Sequence, residues 1–148
     1  MSTTWLEFLK KDFVQGFPAF CGFKVVRVDY CKFETSLKVL KKHRQQDGFV
    51  HAGVIATMAD HTSGYACFTT VSEKFRILTI EFKINYFKPA KGPLIVCRSK
   101  VIQNGKKIKV VESEVFSVSN GIETLVSKGM FTQIALAPDS FLKMTGEY

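Results

Sequence analysis

The 148-residue sequence lacks any long hydrophobic run. No stretch approaches the roughly 18 consecutive apolar residues that a membrane-spanning helix needs. The N-terminal segment MSTTWLEFLKKDF carries four charged residues within its apolar pattern, and these interrupt any apolar region of a secretory signal. We therefore expect a soluble cytoplasmic protein that has no membrane partner.

Cysteine is scarce and scattered along the chain. The four cysteines are Cys21, Cys31, Cys67 and Cys97, and no two of them form a C-x-x-C pair. This spacing supports neither a zinc ribbon nor a thioredoxin-like redox motif. Because four cysteines in a chain of this length do not make a disulfide-rich scaffold, we expect reduced thiols.

Acidic residues are outnumbered by basic ones. The chain has 21 lysines and arginines against 13 aspartates and glutamates, which gives a net charge of +8. Such a surplus favours an anionic partner, either nucleic acid, an anionic lipid surface or a phosphorylated small molecule. The aromatic residues alternate as core positions and do not interleave with a basic stripe, so we expect no nucleic-acid partner.

Hydrophobic periodicity divides the chain into helical and strand segments. Trp5, Phe8, Leu9 and Phe13 recur at helical spacing, which predicts a first helix over about residues 4–15, broken by the segment QGFPAFCG. The other predicted elements are β-rich segments at 23–31 and 32–42, a long central helix over about 52–69, strands at 75–88, 94–103 and 106–118, and a last strand ending near Ile134.

Two Asn-Gly pairs, Asn104-Gly105 and Asn120-Gly121, separate the last three β-rich runs. Asn-Gly is the strongest short signal for a hairpin with a type I′ turn, so these runs are predicted to form an antiparallel meander. Residues 135–148 are predicted to be a loosely held C-terminal tail. With no repeat or interdomain linker, residues 1–148 are expected to form a single domain.

The central helix is apolar around most of its circumference. Such a helix must be covered on most sides, and a strongly curved antiparallel sheet wrapped around it would do this. The predicted fold is therefore of the α+β class, in the hotdog arrangement of a curved sheet around a long central helix.

Asp60 lies in the middle of this apolar helix. Burying an ionised carboxylate without a partner is costly, so Asp60 either meets a partner or is kept for chemistry. The segment TMAD also fits a capping pattern, in which a helix starts at Thr57 and Asp60 is its third residue. We favour chemistry, because Val54 to Met58 already have a helical pattern and no helix breaker precedes Thr57.

The segment HRQQDGFVHAGVIATMAD resembles the start of the central helix in hotdog-fold acyl-CoA thioesterases. The match is to the phenylacetate-degradation (PaaI) type, within the 4-hydroxybenzoyl-CoA thioesterase superfamily, and it extends over about residues 20–134. The matching positions are His43, Gln45, Gly48, His51, Gly53 and Asp60. Ala52 departs from the pattern, because the family usually has the first of two glycines there.

The resemblance implies hydrolysis of an acyl-CoA or aryl-CoA thioester, without a metal or organic cofactor. Backbone N–H groups near Ala52 and Gly53, at the positive end of the helix, suit the oxyanion that forms during attack on a thioester. Asp60 would act as general base or as nucleophile, and the sequence leaves both open.

The resemblance also implies roles for residues outside the helix. Gln45 would bind the water, the carbonyl or the leaving thiolate, and Thr79 would orient the water. His51 either holds the loop by hydrogen bonds, which we favour, or takes part in acid–base chemistry. Lys88 and Lys91 flank a turn near the expected mouth of the pocket and would hold the phosphates of coenzyme A, although lysines also serve simply as a solvated surface.

Spacing along the helix bears on assembly. Asp60 follows Ala52 by eight residues, or about 12 Å of helix, whereas groups that act on one carbon must approach within roughly 3.5 Å. If both are catalytic, they come from different subunits, which predicts a homodimer with its sites at the interface. The resemblance further implies that two such homodimers associate into a dimer of dimers. The alternative is an acyl-CoA-binding protein of the same fold without catalysis.

Overall fold

The computed structural model describes residues 1–145, without the side chains of residues 144 and 145. The elements in chain order are α1 (Thr3–Phe13), α2 (Gly16–Cys21), β1 (Phe23–Asp29), β2 (Lys32–Lys38), a short 3-10 helix (Lys41–His43), α3 (Ala52–Phe68), β3 (Arg76–Tyr86), β4 (Leu94–Asn104), β5 (Ile108–Ser119), β6 (Ile122–Leu136) and α4 (Pro138–Thr145).

All six strands form one antiparallel sheet in the order β1-β2-β4-β5-β6-β3, and helix α3 packs against its inner face. The inner face of β2 presents Phe33, Thr35 and Leu37, as their alternation predicts, and all three are buried. Met58 of α3 is buried with Phe33 and Leu37 in the same apolar core. The α+β class and the hotdog arrangement are therefore confirmed.

The N-terminal region differs from its prediction. Helix α1 ends at Phe13, two residues before the predicted end, and the segment predicted to break the helix forms a second one, α2. Pro18 is the third residue of α2. Proline is tolerated in the first turn of a helix because the N–H groups there have no intrahelical acceptor, so Pro18 does not prevent this short helix.

The two Asn-Gly pairs form different turns. Asn120 and Gly121 have φ angles of 51° and 76°, as a type I′ turn requires. Asn104-Gly105 also lies in a hairpin, because β4 and β5 pair antiparallel and the predicted meander is confirmed. The type I′ turn predicted for it is wrong, since neither residue has a positive φ and three residues, 105–107, connect the strands. Glycine serves there for close approach, because a Cβ atom on Gly105 would clash with the carbonyl oxygen of Ile108.

The predicted C-terminal tail over 135–148 is also wrong for the residues that the structure describes. Strand β6 continues to Leu136, and helix α4 then begins at Pro138. Pro138 at the first helical position and Asp139 in the first turn are both favourable at a helix N-terminus. Residues 146–148 of the predicted tail lie outside the described residues.

All four cysteines lie in the described part of the chain and are free thiols, as expected. Burial raises the pKa of the Cys67 thiol and of the Cys97 thiol to about 12, so both are protonated at neutral pH. None of the helices within residues 1–145 combines the length and the apolar character needed to cross a membrane.

Candidate active site

Helix α3 begins with a backbone N–H that has no partner among the described residues. His51 is the N-cap, and its Nδ1 accepts a hydrogen bond of 2.9 Å from the Gly53 N–H. The N–H groups of the next two residues both bond to the His51 carbonyl oxygen. Within residues 1–145 nothing accepts from the Ala52 N–H, which is therefore available at the positive end of the helix.

His51, Ala52 and Gly53, the three residues predicted at this helix start, differ in their contacts. Because the Gly53 N–H is bound to His51, only Ala52 of this pair offers a donor that is unbound within residues 1–145, which corrects the expectation that both N–H groups are available. A Cβ atom on Gly53 would lie 3.0 Å from Nδ1 of His51, so glycine leaves room for the capping ring. His51 itself holds the helix start in place.

A cavity of about 300 Å³ opens at this helix start, and we call it the Ala52 cavity. Its lining includes three residues predicted for the site, Gln45, Ala52 and Lys88. Tyr86 of β3 crosses to the helix, where its hydroxyl donates a 3.0 Å hydrogen bond to the Ala52 carbonyl oxygen. Burial raises the pKa of Tyr86, so this hydroxyl remains a donor at neutral pH.

The two predicted lysines occupy different positions around this cavity. Lys88 is part of its wall, whereas Lys91 lies at its edge, with its Nζ 5.2 Å from the centre of the Phe49 ring. Both side chains belong to exposed residues, so both amino groups face solvent. Within residues 1–145, no group of three or more His, Cys, Asp or Glu side chains is arranged to hold a metal ion.

Asp60 lies in the middle of α3 on a half-buried face. The Thr57 hydroxyl donates to the Gly53 carbonyl oxygen at 2.8 Å, four residues earlier in the same helix. Helix α3 therefore runs through Thr57, and the alternative in which Asp60 caps a helix starting there is excluded. Thr79 of β3 donates a 2.7 Å hydrogen bond to Oδ1 of Asp60, so the structure brings these two predicted residues together.

Two residues that the sequence patterns did not predict for the site lie behind this pair. Gln133 of β6 is the cross-strand partner of Thr79, and its Oε1 lies 3.0 Å from the Thr79 hydroxyl oxygen. Its Nε2 donates to the Ser63 hydroxyl at 2.7 Å. One signal pointed to Gln133, a polar residue between Phe131 and Ala135 at inward-facing positions of a strand.

A second cavity, of about 370 Å³, opens beside this group of residues, and we call it the Asp60 cavity. Asp60, Thr79 and Gln133 are among its lining residues, and Gly64, Phe68, Ile77 and Leu78 form its apolar part. This apolar part suits a small apolar group near Asp60.

Three further polar residues, from α1 and α3, line the Asp60 cavity. The Tyr65 hydroxyl donates to Oδ2 of Asp12 at 2.6 Å, and burial together with this carboxylate raises the pKa of Tyr65. Burial lowers the pKa of His61, whose Nε2 donates to the Phe13 carbonyl oxygen at 3.0 Å. His61 is therefore neutral at neutral pH, with its side chain directed to α1.

Among the residues that the structure describes, the Ala52 cavity and the Asp60 cavity have no lining residue in common. A single chain thus holds two incomplete groups, Ala52 with Gln45 and Asp60 with Thr79, separated along α3 by about 12 Å. Strand β3, which passes both cavities, is an edge strand of the sheet. Its exposed side chains include Ile80, Phe82 and Tyr86, which are 53 %, 41 % and 45 % exposed.

A family model and related sequences both indicate the family of this chain. Residues 47–123 match the family model of the thioesterase superfamily. A Saccharolobus solfataricus protein provisionally named an esterase is 31 % identical over 76 % of this chain and 75 % of its own. The 1,4-dihydroxy-2-naphthoyl-CoA hydrolase of Listeria monocytogenes is 23 % identical over 64 % of this chain and 76 % of its own.

Solved structures agree with this family. A thioesterase family protein from Silicibacter pomeroyi superimposes with a TM-score of 0.86 at 28 % identity, covering 90 % of this chain and 98 % of its own. A Streptococcus mutans protein bound to acetyl CoA has a TM-score of 0.69 at 27 % identity, over 78 % and 89 % of the two chains. The chain belongs to the thioesterase superfamily and is a thioester hydrolase with the hotdog fold.

Proposed function

We propose that this protein hydrolyses acyl-CoA or aryl-CoA thioesters to the free acid and coenzyme A. The observation that carries the proposal is the 2.7 Å contact between Thr79 and Asp60, in the lining of a partly apolar cavity. Water adds to the thioester carbonyl carbon, the C–S bond breaks, and the thiolate leaves and takes up a proton. The names of the Listeria hydrolase and of the acetyl-CoA-bound neighbour support coenzyme A as the carrier.

Asp60 acts on the attacking water, and Thr79 orients the Asp60 carboxylate. As a general base, Asp60 accepts a proton from water while the new C–O bond forms. As a nucleophile, it would instead form a mixed anhydride with the acyl group, which water then hydrolyses. We favour the general base, because Thr79 already occupies one lone pair of Oδ1 and tethers this oxygen to the sheet.

The Ala52 N–H stabilises the negative charge that develops on the carbonyl oxygen. It is a backbone donor at the positive end of α3 and is not bound to any acceptor within residues 1–145. Gln45 lines the same cavity and adds a side-chain amide for the carbonyl or the leaving thiolate. The side chain at position 52 does not supply the donor, so alanine serves in place of glycine.

The complete site forms between two subunits, in which Ala52 of one chain faces Asp60 of the other. The exposed edge strand β3, with its row of apolar side chains, is the surface through which two copies pair around a two-fold axis. Each homodimer then holds two equivalent sites, and two homodimers pair into a dimer of dimers.

Substrate binding divides between the two cavities. Lys88 and Lys91 lie at the Ala52 cavity and attract the phosphates of coenzyme A. The acyl group enters the Asp60 cavity along the wall of Gly64 and Phe68, so that the thioester lies at the junction of the two groups of residues.

Subunit complementation tests the shared site. Ala52 is the first residue of α3 after the cap, where proline is tolerated although it has no N–H. His51 has φ −61° and ψ 136°, a conformation that a following proline favours. Ala52→Pro therefore removes the donor and keeps the helix start, with an expected loss in kcat of about 10²- to 10³-fold.

The second variant is Asp60→Asn, and each variant alone should be nearly inactive. When the two are unfolded together and refolded as a mixture, half of the dimers are mixed, and one of their two sites is intact. We expect about a quarter of the wild-type activity from this statistical mixture. Refolded wild type is the control, and a mixture no more active than either variant would contradict the shared site.

A further inference from the structure

Gln133 is fully buried, at 0 % exposure, in the middle of strand β6. A buried amide is costly unless its groups are hydrogen-bonded, and an apolar side chain of similar size would fill this place in the core. Both ends of the Gln133 amide have partners, Thr79 on β3 and Ser63 on α3. The amide therefore connects β3, which carries Thr79, to α3, which carries Asp60.

These contacts close into a ring. Gln133 donates to Ser63 at 2.7 Å, and the Ser63 hydroxyl donates to the Asp60 carbonyl oxygen at 2.7 Å. Because Nε2 is held by Ser63, Oε1 of Gln133 is directed at the Thr79 hydroxyl. The ring fixes the position of this oxygen relative to both the backbone and the carboxylate of Asp60.

The Thr79 hydroxyl has two acceptors but only one proton to donate. Oδ1 of Asp60 lies at 2.7 Å and Oε1 of Gln133 at 3.0 Å. A hydroxyl proton rotates freely between such acceptors, and the oxygen keeps two lone pairs that accept in turn. Thr79 can thus donate either to Asp60 or to Gln133.

The backbone around Thr79 is shaped for this contact. The register between β3 and β6 shifts between Thr79 and Glu81, so a bulge directly follows Thr79. A bulge bends its strand and changes the direction of the side chains beside it. Here the residue before the bulge reaches Asp60 and Gln133 at once.

We propose that Gln133 is a positioning residue that acts through Thr79, an inference that rests on the proposed function with Asp60 as general base. Before the reaction, Thr79 donates to the ionised Asp60. When Asp60 takes a proton from water on its other oxygen, Oδ1 becomes a weaker acceptor, and the Thr79 proton turns to Oε1 of Gln133. No proton is gained or lost by Thr79 or Gln133, and the Thr79 hydroxyl keeps an acceptor in both states of Asp60.

Removing the second acceptor should slow turnover without weakening binding. Gln133→Met keeps the length of the side chain but leaves Thr79 with Asp60 as its only acceptor. The ionised carboxylate is then favoured over the protonated one. We expect kcat to fall about tenfold to a hundredfold, less than the contribution of the base itself, with KM changed less than twofold. The acidic limb of the kcat–pH profile should move to lower pH.

A double-mutant cycle separates this role from a structural one. In a Thr79→Val background there is no proton to redirect, so adding Gln133→Met should cost less than a further twofold in kcat. Thr132→Val is the matched control, because Thr132 neighbours Gln133 on β6 but its hydroxyl donates to Glu81 outside the ring. This control should retain wild-type kcat. Additive losses in the cycle, or an unmoved pH profile, would overturn the inference.

A second variant covers the case in which the first does not fold. If Gln133→Met does not fold, Ser63→Ala replaces it in the same cycle, because it frees the amide of Gln133 from its anchor. A loss confined to the background that retains Thr79 supports the inference, and an equal loss in both backgrounds overturns it. Turnover by wild type and its loss in Asp60→Asn establish the proposed function separately, whereas wild type without turnover would contradict both.

Discussion

The hydroxyl of Thr79 on strand β3 lies 2.7 Å from Oδ1 of Asp60 on helix α3. This contact joins the middle of the central helix to the edge strand of the sheet. It leaves the carboxylate half-buried in the lining of a cavity, where Thr79 orients one oxygen and no hydrogen bond from residues 1–145 holds the other.

Asp60→Asn should abolish hydrolysis and leave the fold intact. The amide is nearly the same size as the carboxylate and can still accept from Thr79, but it cannot take a proton from water. We expect a loss in kcat of at least about 10²-fold, with little change in acyl-CoA binding. Steady-state kinetics with several acyl-CoAs, together with calorimetric titration, would measure both. Near-normal turnover by this variant would end the assignment of Asp60.

His51→Ala should destabilise the protein, because it removes the cap on the Gly53 N–H. Loss of an N-cap side chain typically costs about 1 kcal/mol in the free energy of unfolding. His51→Asn, which retains a side-chain acceptor at the cap, should recover most of this loss. Urea unfolding monitored by circular dichroism measures the difference. Equal stability of His51→Ala and wild type would show that the cap contributes nothing.

The free energy of unfolding should fall as the pH drops below about 6.5. Burial lowers the pKa of both His43 and His61 in the folded chain, whereas both return to an ordinary value near 6.5 on unfolding. The unfolded chain then binds more protons than the folded one below that pH, so stability is complete above it and is lost as the pH falls. The slope is at most about 1.4 kcal/mol per pH unit for each histidine.

His43→Gln is the control for this pH dependence. Both ring nitrogens of His43 are used, since Nδ1 accepts from the Leu40 N–H and Nε2 donates to the Cys21 carbonyl oxygen. A glutamine amide has one acceptor and one donor group for the same partners but does not titrate. Urea unfolding at pH 7.5, 6.5 and 5.5 should give a shallower decline for this variant. An equally steep decline would exclude His43 as a cause.

Gly64→Leu should shift the enzyme towards shorter acyl groups. Gly64 lies one helical turn beyond Asp60 in the wall of the Asp60 cavity, and a Cβ atom there would meet nothing nearer than Ile77, at 3.9 Å. A leucine side chain therefore extends into the cavity and fills the space next to the thioester. We expect kcat/KM for medium-chain acyl-CoAs to fall at least about tenfold relative to acetyl-CoA.

Gly64→Ala is the matched control for acyl selectivity, because its single methyl group fits with little loss of volume. The ratio of kcat/KM between medium-chain and acetyl-CoA substrates should stay within about threefold of wild type. An unchanged ratio in Gly64→Leu would show that the acyl group does not enter the Asp60 cavity.

Much of the fold could be predicted from patterns within single elements. The central helix was predicted over 52–69 and spans Ala52–Phe68. Its nearly continuous apolar character indicated a buried helix, and the sheet covers it as that burial requires. The Asn120-Gly121 turn was predicted correctly, since both residues tolerate the positive φ that the turn needs. The Asn104-Gly105 pair lies in the predicted hairpin but not in a type I′ turn, because its backbone packs closely against Ile108.

Sequence patterns alone predicted the hotdog fold, the family motif around Asp60 and the spacing that separates Ala52 from Asp60 on one helix. Which N–H at the helix start is available depends on the folded geometry of the His51 cap. Which residues lie behind Thr79 depends on contacts between elements that are distant in the chain. Gln133 and Thr79 are 54 residues apart in the chain and meet only because β3 pairs with β6. The spacing of apolar residues within a segment indicates whether that segment is a helix or a strand. Partners across a sheet depend on strand order and register, which the pattern within one segment does not contain.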